Sequence, residues 1–151
     1  YRYFPSKADL VAAVVSAEIE LLERGIERHP PAAASPAGRA VDVLLRATQG
    51  LMREPELAHA LIRTLVLADA EEPLNERMAG LLLRAAAPGG SGDGPSRAPS
   101  PEELVLADSL ASFWTHEFLE VLRGRRSYEE LQRHLEIVAG RLFAESATGV
   151  A

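Results

Sequence analysis

The sequence predicts an all-α fold of about six helices, the last two paired as an antiparallel hairpin. Three observations carry that expectation. No stretch alternates apolar and polar residues for long enough to read as a strand, whereas apolar residues recur at helical spacing in segment after segment. The 11 Gly and 10 Pro are gathered between those segments rather than scattered through them. Most segments also open on serine or proline, which helix starts favour.

The first segment, "SKADLVAAVVSAEIELLERGIER", has Ser6 as N-cap and Asp9 three residues on, a capping-box pattern. Leu10, Val14, Ala17 and Leu21 form its apolar stripe, widened by Val11, Val15 and Leu22, and Pro30 and Pro31 end it. "SPAGRAVDVLLRATQGLMRE" restarts with Ser35 as cap and Pro36 in the first helical position, where a missing N–H costs nothing. Its inward face is Val41, Leu44, Leu45, Thr48 and Met52. Pro55 opens a third helix carrying Leu57, Leu61, Ile62, Leu65 and Val66. Pro73 opens a fourth, with Leu74, Met78, Leu81, Leu82 and Ala85.

Residues 87–100, "APGGSGDGPSRAPS", hold four Gly and three Pro in 14 positions and predict a flexible loop within one domain. They lack the Gly-Lys-Ser/Thr ending of a phosphate-cradling loop. Two well-punctuated helices follow. Ser100, Pro101 and Glu103 start one, Ser127 and Glu130 start the other, and only "GRR" separates the helical patterns. The first is apolar on two faces: Leu104, Ala107, Ala111, Trp114, Phe118 and Val121 on one, Leu106, Leu110, Phe113 and Leu122 on the other. Such a helix needs cover on both sides. Its partner shows Leu131, Leu135, Val138 and Leu142, with Ile137 and Gly140 turned elsewhere. A two-fold copy completing a four-helix bundle supplies that cover, which makes Leu106, Leu110, Phe113, Leu131, Leu135, Val138 and Leu142 the expected dimer interface.

Composition narrows the function. The absence of cysteine removes disulfides, thiolate metal sites and cysteine nucleophiles, and points to a cytoplasmic location. No apolar run approaches the roughly 20 residues that span a bilayer. A formal charge of −6 leaves the chain as a whole without an electrostatic footprint for nucleic acid. His29, His59, His116 and His134 are spread over separate segments, and "HEFLE" lacks the second histidine of a zinc-protease helix. Ser100 and Ser127 are explained by capping; Glu18, Glu20 and Glu23 fall on a solvated helix face. No catalytic set, metal site or cofactor is expected, and the chain does not read as an enzyme.

The opening "YRYFPSKADLVAAVV" resembles the junction of TetR-family transcriptional regulators, where a recognition helix turns into the first helix of the regulatory domain. Tyr1, Tyr3, Phe4, Ser6, Lys7 and Leu10 fall in family positions over these 15 residues. The order of four helices, a variable loop and a two-helix hairpin is similar too. The resemblance implies that residues 1–5 are the remnant of a DNA-recognition helix and 6–151 a ligand-binding and dimerisation domain. It also implies that the helices before that remnant, absent from this chain, are needed for specific DNA binding. Tyr1 and Tyr3 would then reach phosphates or base edges, and Lys7 a phosphate beside the backbone N–H groups of a helix start. "HALIRTLVLADAEEPLNERM" and "FWTHEFLEVLRGRRSYEELQRHLEIVAGRLF" are similar, within the family, to actinobacterial regulators of sterol and lipid catabolism.

For the remainder the resemblance implies a homodimer built on the last two helices and a ligand cavity inside the earlier ones. Inward faces rich in Met and aromatics nominate Thr48, Met52, Leu61, Ile62, Leu65, Met78, Leu82, Trp114 and Phe118 as its lining, with Gln49, Arg63 and His116 to orient a ligand. Scarce inward polar residues favour an apolar ligand such as a lipid, acyl thioester or steroid-like molecule. The expected function is a repressor released from its operator by that ligand. The alternative is a helical homodimerisation module with no small-molecule ligand.

Overall fold

The computed structural model describes residues 3–67, 71–87 and 97–148, with side chains excepted at 8, 64–67, 71–73 and 145–148. Six helices account for nearly all of it: α1 (Lys7–Arg28), α2 (Pro36–Met52), α3 (Pro55–Leu67), α4 (Glu71–Ala86), α5 (Pro101–Leu122) and α6 (Tyr128–Thr148). No strand occurs among the described residues. Tyr1 and most of the expected loop (88–96) lie outside them.

The helix starts follow serine chemistry. Ser6, Ser35 and Ser100 each accept a backbone N–H from three residues on, at 3.0–3.1 Å. At α5 the box is complete, because Glu103 reaches back to the Ser100 N–H at 2.6 Å. Ser127 and Glu130 repeat it at α6, at 2.7 and 3.1 Å. At α1 it is not complete. The Asp9 side chain is one carbon shorter than glutamate and accepts instead from the Ser6 hydroxyl. Gly38 is required at α2, where an added Cβ would lie 2.9 Å from the Ala33 Cβ. α4 includes Glu71, two residues before Pro73, so that proline sits inside the first turn, where helices tolerate it.

α2 packs on α4 and α6, α4 on α5, and α5 on α6, closing a ring of four helices within one protomer. Val43, Leu44, Leu82, Leu110, Leu131 and Leu135 fill its centre. This corrects part of the expected dimer interface. Leu110, Leu131 and Leu135 are fully buried by the chain's own α2 and α4, so they have no surface left for a partner. Leu106, Phe113, Val138 and Leu142 remain half-buried, while Leu104, Val105 and Ile137 are exposed. Gly124, at φ 71°, makes the left-handed turn that returns the chain from α5 to α6.

α1 and α3 lie to one side of the ring, touching each other and α2, with α3 also reaching α5. The stripe that α1 buries is Val11, Val15, Ile19, Leu22 and Ile26, whereas Leu10, Ala17 and Leu21 are exposed. Of the expected stripe, Val11, Val15 and Leu22 face inward, while the edge formed by Leu10, Ala17 and Leu21 lies about 100° of helix rotation away, toward solvent. Apolar residues cover so much of α1 that spacing alone does not select the face; packing against α2 and α3 does. Among the described residues, no helix is long and apolar enough to cross a membrane.

Candidate functional site

Between α1 and the ring is a cavity of about 380 Å³, within the range of small-molecule pockets. α1 contributes Val15, Ile19, Leu22 and Gly25; α2 contributes Ala47, Gly50 and Leu51. Leu61 and Ile62 close it from α3, Leu74 and Met78 from α4. Trp114 and Phe118, one turn apart on α5, stack with centroids 5.8 Å apart and planes 18° from parallel, forming a flat aromatic wall. Leu21, Arg28, Gln49 and Arg53 both line the cavity and face solvent, which places its mouth between α1 and the end of α2.

The polar groups around this space are mostly engaged. The Trp114 Nε1–H donates to Thr48 Oγ1 at 2.8 Å, and that hydroxyl donates to the Leu44 carbonyl at 2.8 Å. Gln49 Nε2 donates to the Tyr128 hydroxyl at 3.1 Å, tying the mouth to α6. Arg46 pairs with Asp42 at 2.8 Å and donates to the His29 carbonyl. Asn75 and Thr115 stand in the wall with longer contacts: Asn75 Nδ2 lies 3.4 Å from Ser112 Oγ, and Thr115 Oγ1 lies 3.5 Å from Asn75 Oδ1.

Six of the expected cavity residues come together here: Gln49, Leu61, Ile62, Met78, Trp114 and Phe118. Five do not line it. Thr48 is buried behind the wall as the acceptor for Trp114, and Met52 and Leu82 pack into the ring core. Arg63 and His116 are exposed. Each follows a core side chain by one or two residues, about 100° or 200° round its helix, which carries it to the outside. The Leu65 side chain lies outside the described residues.

A second polar site involves α5 at Glu117, between Trp114 and Phe118 in sequence but turned toward α6. Glu117 is 2% exposed within an apolar core. Its Oε2 lies 2.8 Å from His134 Nδ1 and 3.2 Å from Arg126 Nε, the latter an ion-pair contact without hydrogen-bond alignment. A carboxylate only accepts, so His134 Nδ1 is the donor, and Arg126 Nη1, 3.2 Å from the same nitrogen, sits beside it. The trio fastens α5, the turn and α6 together. No group of three or more His, Asp or Glu poised to hold a metal ion occurs among the described residues. At the N-terminal end, Tyr3 is 82% exposed and Lys7 is exposed on the first residue of α1.

Comparison with known proteins places this geometry. No protein-family model matches the chain. It is 26% identical over 148 residues to the HTH-type transcriptional repressor KstR of Rhodococcus jostii, covering 97% of this chain and 67% of that protein. It is 26% identical over 137 residues to KstR of Mycolicibacterium smegmatis, covering 91% and 66%. For KstR of Mycobacterium tuberculosis the identity is 24% over 150 residues, covering 96% and 64%. The chain thus spans about two thirds of the length of these curated relatives. A crystal structure of a TetR transcriptional regulator from Rhodococcus sp. RHA1 superposes on all of this chain and 77% of that one, with a TM-score of 0.76 and 26% identity. The chain is similar in sequence and fold to TetR-family transcriptional regulators. Its relatives are transcriptional repressors, and its all-helical fold matches that of the TetR regulator structure.

The cavity residues that sequence reasoning missed lie mainly on α1: Val15, Ile19, Leu22 and Gly25. Val15 and Leu22 were read as core, and their spacing does not distinguish a residue facing a neighbour from one facing a void. Asn75 and Thr115 carried a weak signal as polar positions beside apolar ones. Glu117 carried none from its residue type, since a glutamate reads as surface even between Trp114 and Phe118.

Proposed function

We propose that this chain is the sensing part of a dimeric repressor that leaves its operator DNA when a small, mostly apolar molecule fills the cavity. The observation that carries the reading is the cavity: about 380 Å³, walled by apolar side chains from five helices, in a chain related to transcriptional repressors. A solid core with no such space would favour a plain dimerisation module instead.

Ligand in the cavity touches Val15, Ile19 and Leu22, so it favours one placement of α1 relative to the ring. Tyr3 and Lys7 ride at the start of α1, and shifting it changes how two DNA-reading heads are spaced. The ligand acts only through a difference in affinity between the two placements. Exposed Leu104, Val105 and Ile137 on α5 and α6, with half-buried Leu106, Phe113, Val138 and Leu142, are the surface for a second copy. DNA contact by Tyr1, Tyr3 and Lys7 belongs to the same reading.

The test is operator binding by the full-length protein, followed by fluorescence anisotropy with and without apolar ligands that raise its melting temperature. The expected result is weaker DNA binding with ligand; equal binding at saturating ligand overturns the proposal. Light scattering should give a dimer, and a monomer at micromolar concentration would overturn the assigned surface.

A further inference from the structure

Among the polar groups near the cavity, most have no capacity left for a ligand. The Thr48 hydroxyl both accepts and donates at 2.8 Å, and the Trp114 N–H is its donor. The Gln49 amide is turned to Tyr128, and Arg46 is held by Asp42 and His29. Glu18, Arg28 and Arg53 also line the space, the two arginines where water competes. The Glu18 carboxylate can only accept, so the donor that remains is Asn75 on α4, facing Thr115 on α5, both half-buried in the wall. Their mutual contact is 3.5 Å and the Asn75 contact to Ser112 is 3.4 Å, the long limit for a hydrogen bond. Only one N–H of the Asn75 amide has a partner among the described residues, and that partner is distant. The Ser112 contact lies on the exposed side of this half-buried amide, whereas on the cavity side the wall is mostly apolar, so a good acceptor placed there is a net gain.

Resting on the ligand-cavity reading above, we infer that Asn75 and Thr115 are the specificity determinants of the cavity and select apolar molecules that carry a carbonyl oxygen. The Asn75 Nδ2–H donates to that oxygen. The single hydrogen of the Thr115 hydroxyl is shared between the Ala111 carbonyl, 3.1 Å away, and the Asn75 Oδ1, 3.5 Å away, and that second, weaker arm orients the amide. A hydrocarbon of the same shape leaves the amide as it is, and a site with one well-placed donor discriminates against it.

Diphenylhexatriene, a hydrocarbon dye that fluoresces in apolar sites, reports occupancy, and two competitors of matched shape, cyclododecanone and cyclododecane, displace it. The readout is the ratio of their apparent affinities in wild type, Asn75→Leu and Thr115→Val, because a ratio of ratios cancels their different hydration. Asn75→Leu is expected to shift that ratio toward the hydrocarbon by about 2- to 10-fold, the worth of one hydrogen bond. Cyclododecane affinity should hold or rise, which a merely misfolded variant would not show. Thr115→Val should shift the ratio in the same direction by less, and it carries the test if Asn75→Leu does not fold. An unchanged ratio in the folded variants overturns the inference while leaving the cavity reading intact. No dye uptake by wild type overturns both.

Discussion

The ring of α2, α4, α5 and α6 and the flank made by α1 and α3 use the same apolar side chains to opposite ends. In the ring, Val43, Leu44, Leu82, Leu110, Leu131 and Leu135 are sealed on every side. On the flank, α1 buries only Val11 and Ile19 fully, and Val15 and Leu22 face a cavity. Packing density, not composition, separates the part that holds the molecule together from the part able to respond. A dense interior transmits strain, whereas a helix resting on a void can settle in more than one place.

The sharpest way to break that contrast is to delete the same side chain from each region. Leu135→Ala opens a void in a sealed site and should cost about 3 kcal/mol, lowering the melting temperature by roughly 10 °C. Leu22→Ala enlarges a space that already exists and should cost about 1 kcal/mol, only the lost transfer term. Thermal melts followed by circular dichroism give both numbers. Equal losses would mean that α1 is as firmly packed as the ring.

Much of the ring was legible in the sequence because its cues are local. Ser35, Ser100 and Ser127 announce helix starts through bonds made within one turn, and Met78, Leu81, Leu82 and Ala85 show one inward stripe. The flank was less legible, since choosing among the apolar faces of α1 depends on where α2 and α3 stand. The cavity shares that difficulty: Leu61 and Trp114 were found as inward residues, but whether an inward residue meets a neighbour or empty space is a property of the whole packing. Glu117 was illegible for a related reason. Its partners Arg126 and His134 come from the turn and from the next helix.

That buried trio gives the next largest effect and tests whether the ring is held by more than apolar contact. Arg126→Met leaves the carboxylate with His134 alone, and should cost about 2–3 kcal/mol, less than a wholly buried pair because Arg126 is partly exposed. Glu117→Met should cost less, since Arg126 and His134 can turn to water while the methionine fills the gap. Urea unfolding midpoints distinguish the two. The reverse order would place the stabilisation in the glutamate rather than in its neutralisation.

Thr48 joins the two regions, because it lies in the ring yet holds the indole that walls the cavity. Thr48→Val keeps the shape and removes the acceptor, leaving the Trp114 N–H without a bond at a cost of about 1–2 kcal/mol. The fluorescence of Trp114 should shift with it. An unchanged unfolding midpoint together with a red-shifted emission would mean that the indole takes its bond from water in the cavity, and that the boundary between dense and hollow regions runs behind Trp114.

The smallest effect concerns how the two regions start their helices. In the ring, α5 and α6 open with complete serine–glutamate boxes, while α2 in the ring and α1 on the flank each have one backbone N–H held by a serine. Donation from the Ser100 N–H draws the Glu103 carboxyl below its ordinary value, and the Ser127 N–H does the same for Glu130. A carboxyl whose value is lowered by folding stabilises the fold above its unfolded value of about 4.3 and loses that contribution as the pH falls through the lower folded value. The doubly substituted Glu103→Gln, Glu130→Gln protein should therefore melt slightly below wild type at neutral pH, and the gap should close only below about pH 4. Glutamine still accepts from the serine N–H, so what closes is the charge-dependent part alone. A gap that persists to the acid limit would show that the boxes act by geometry, and that α5 and α6 owe their firmer starts to shape rather than to charge.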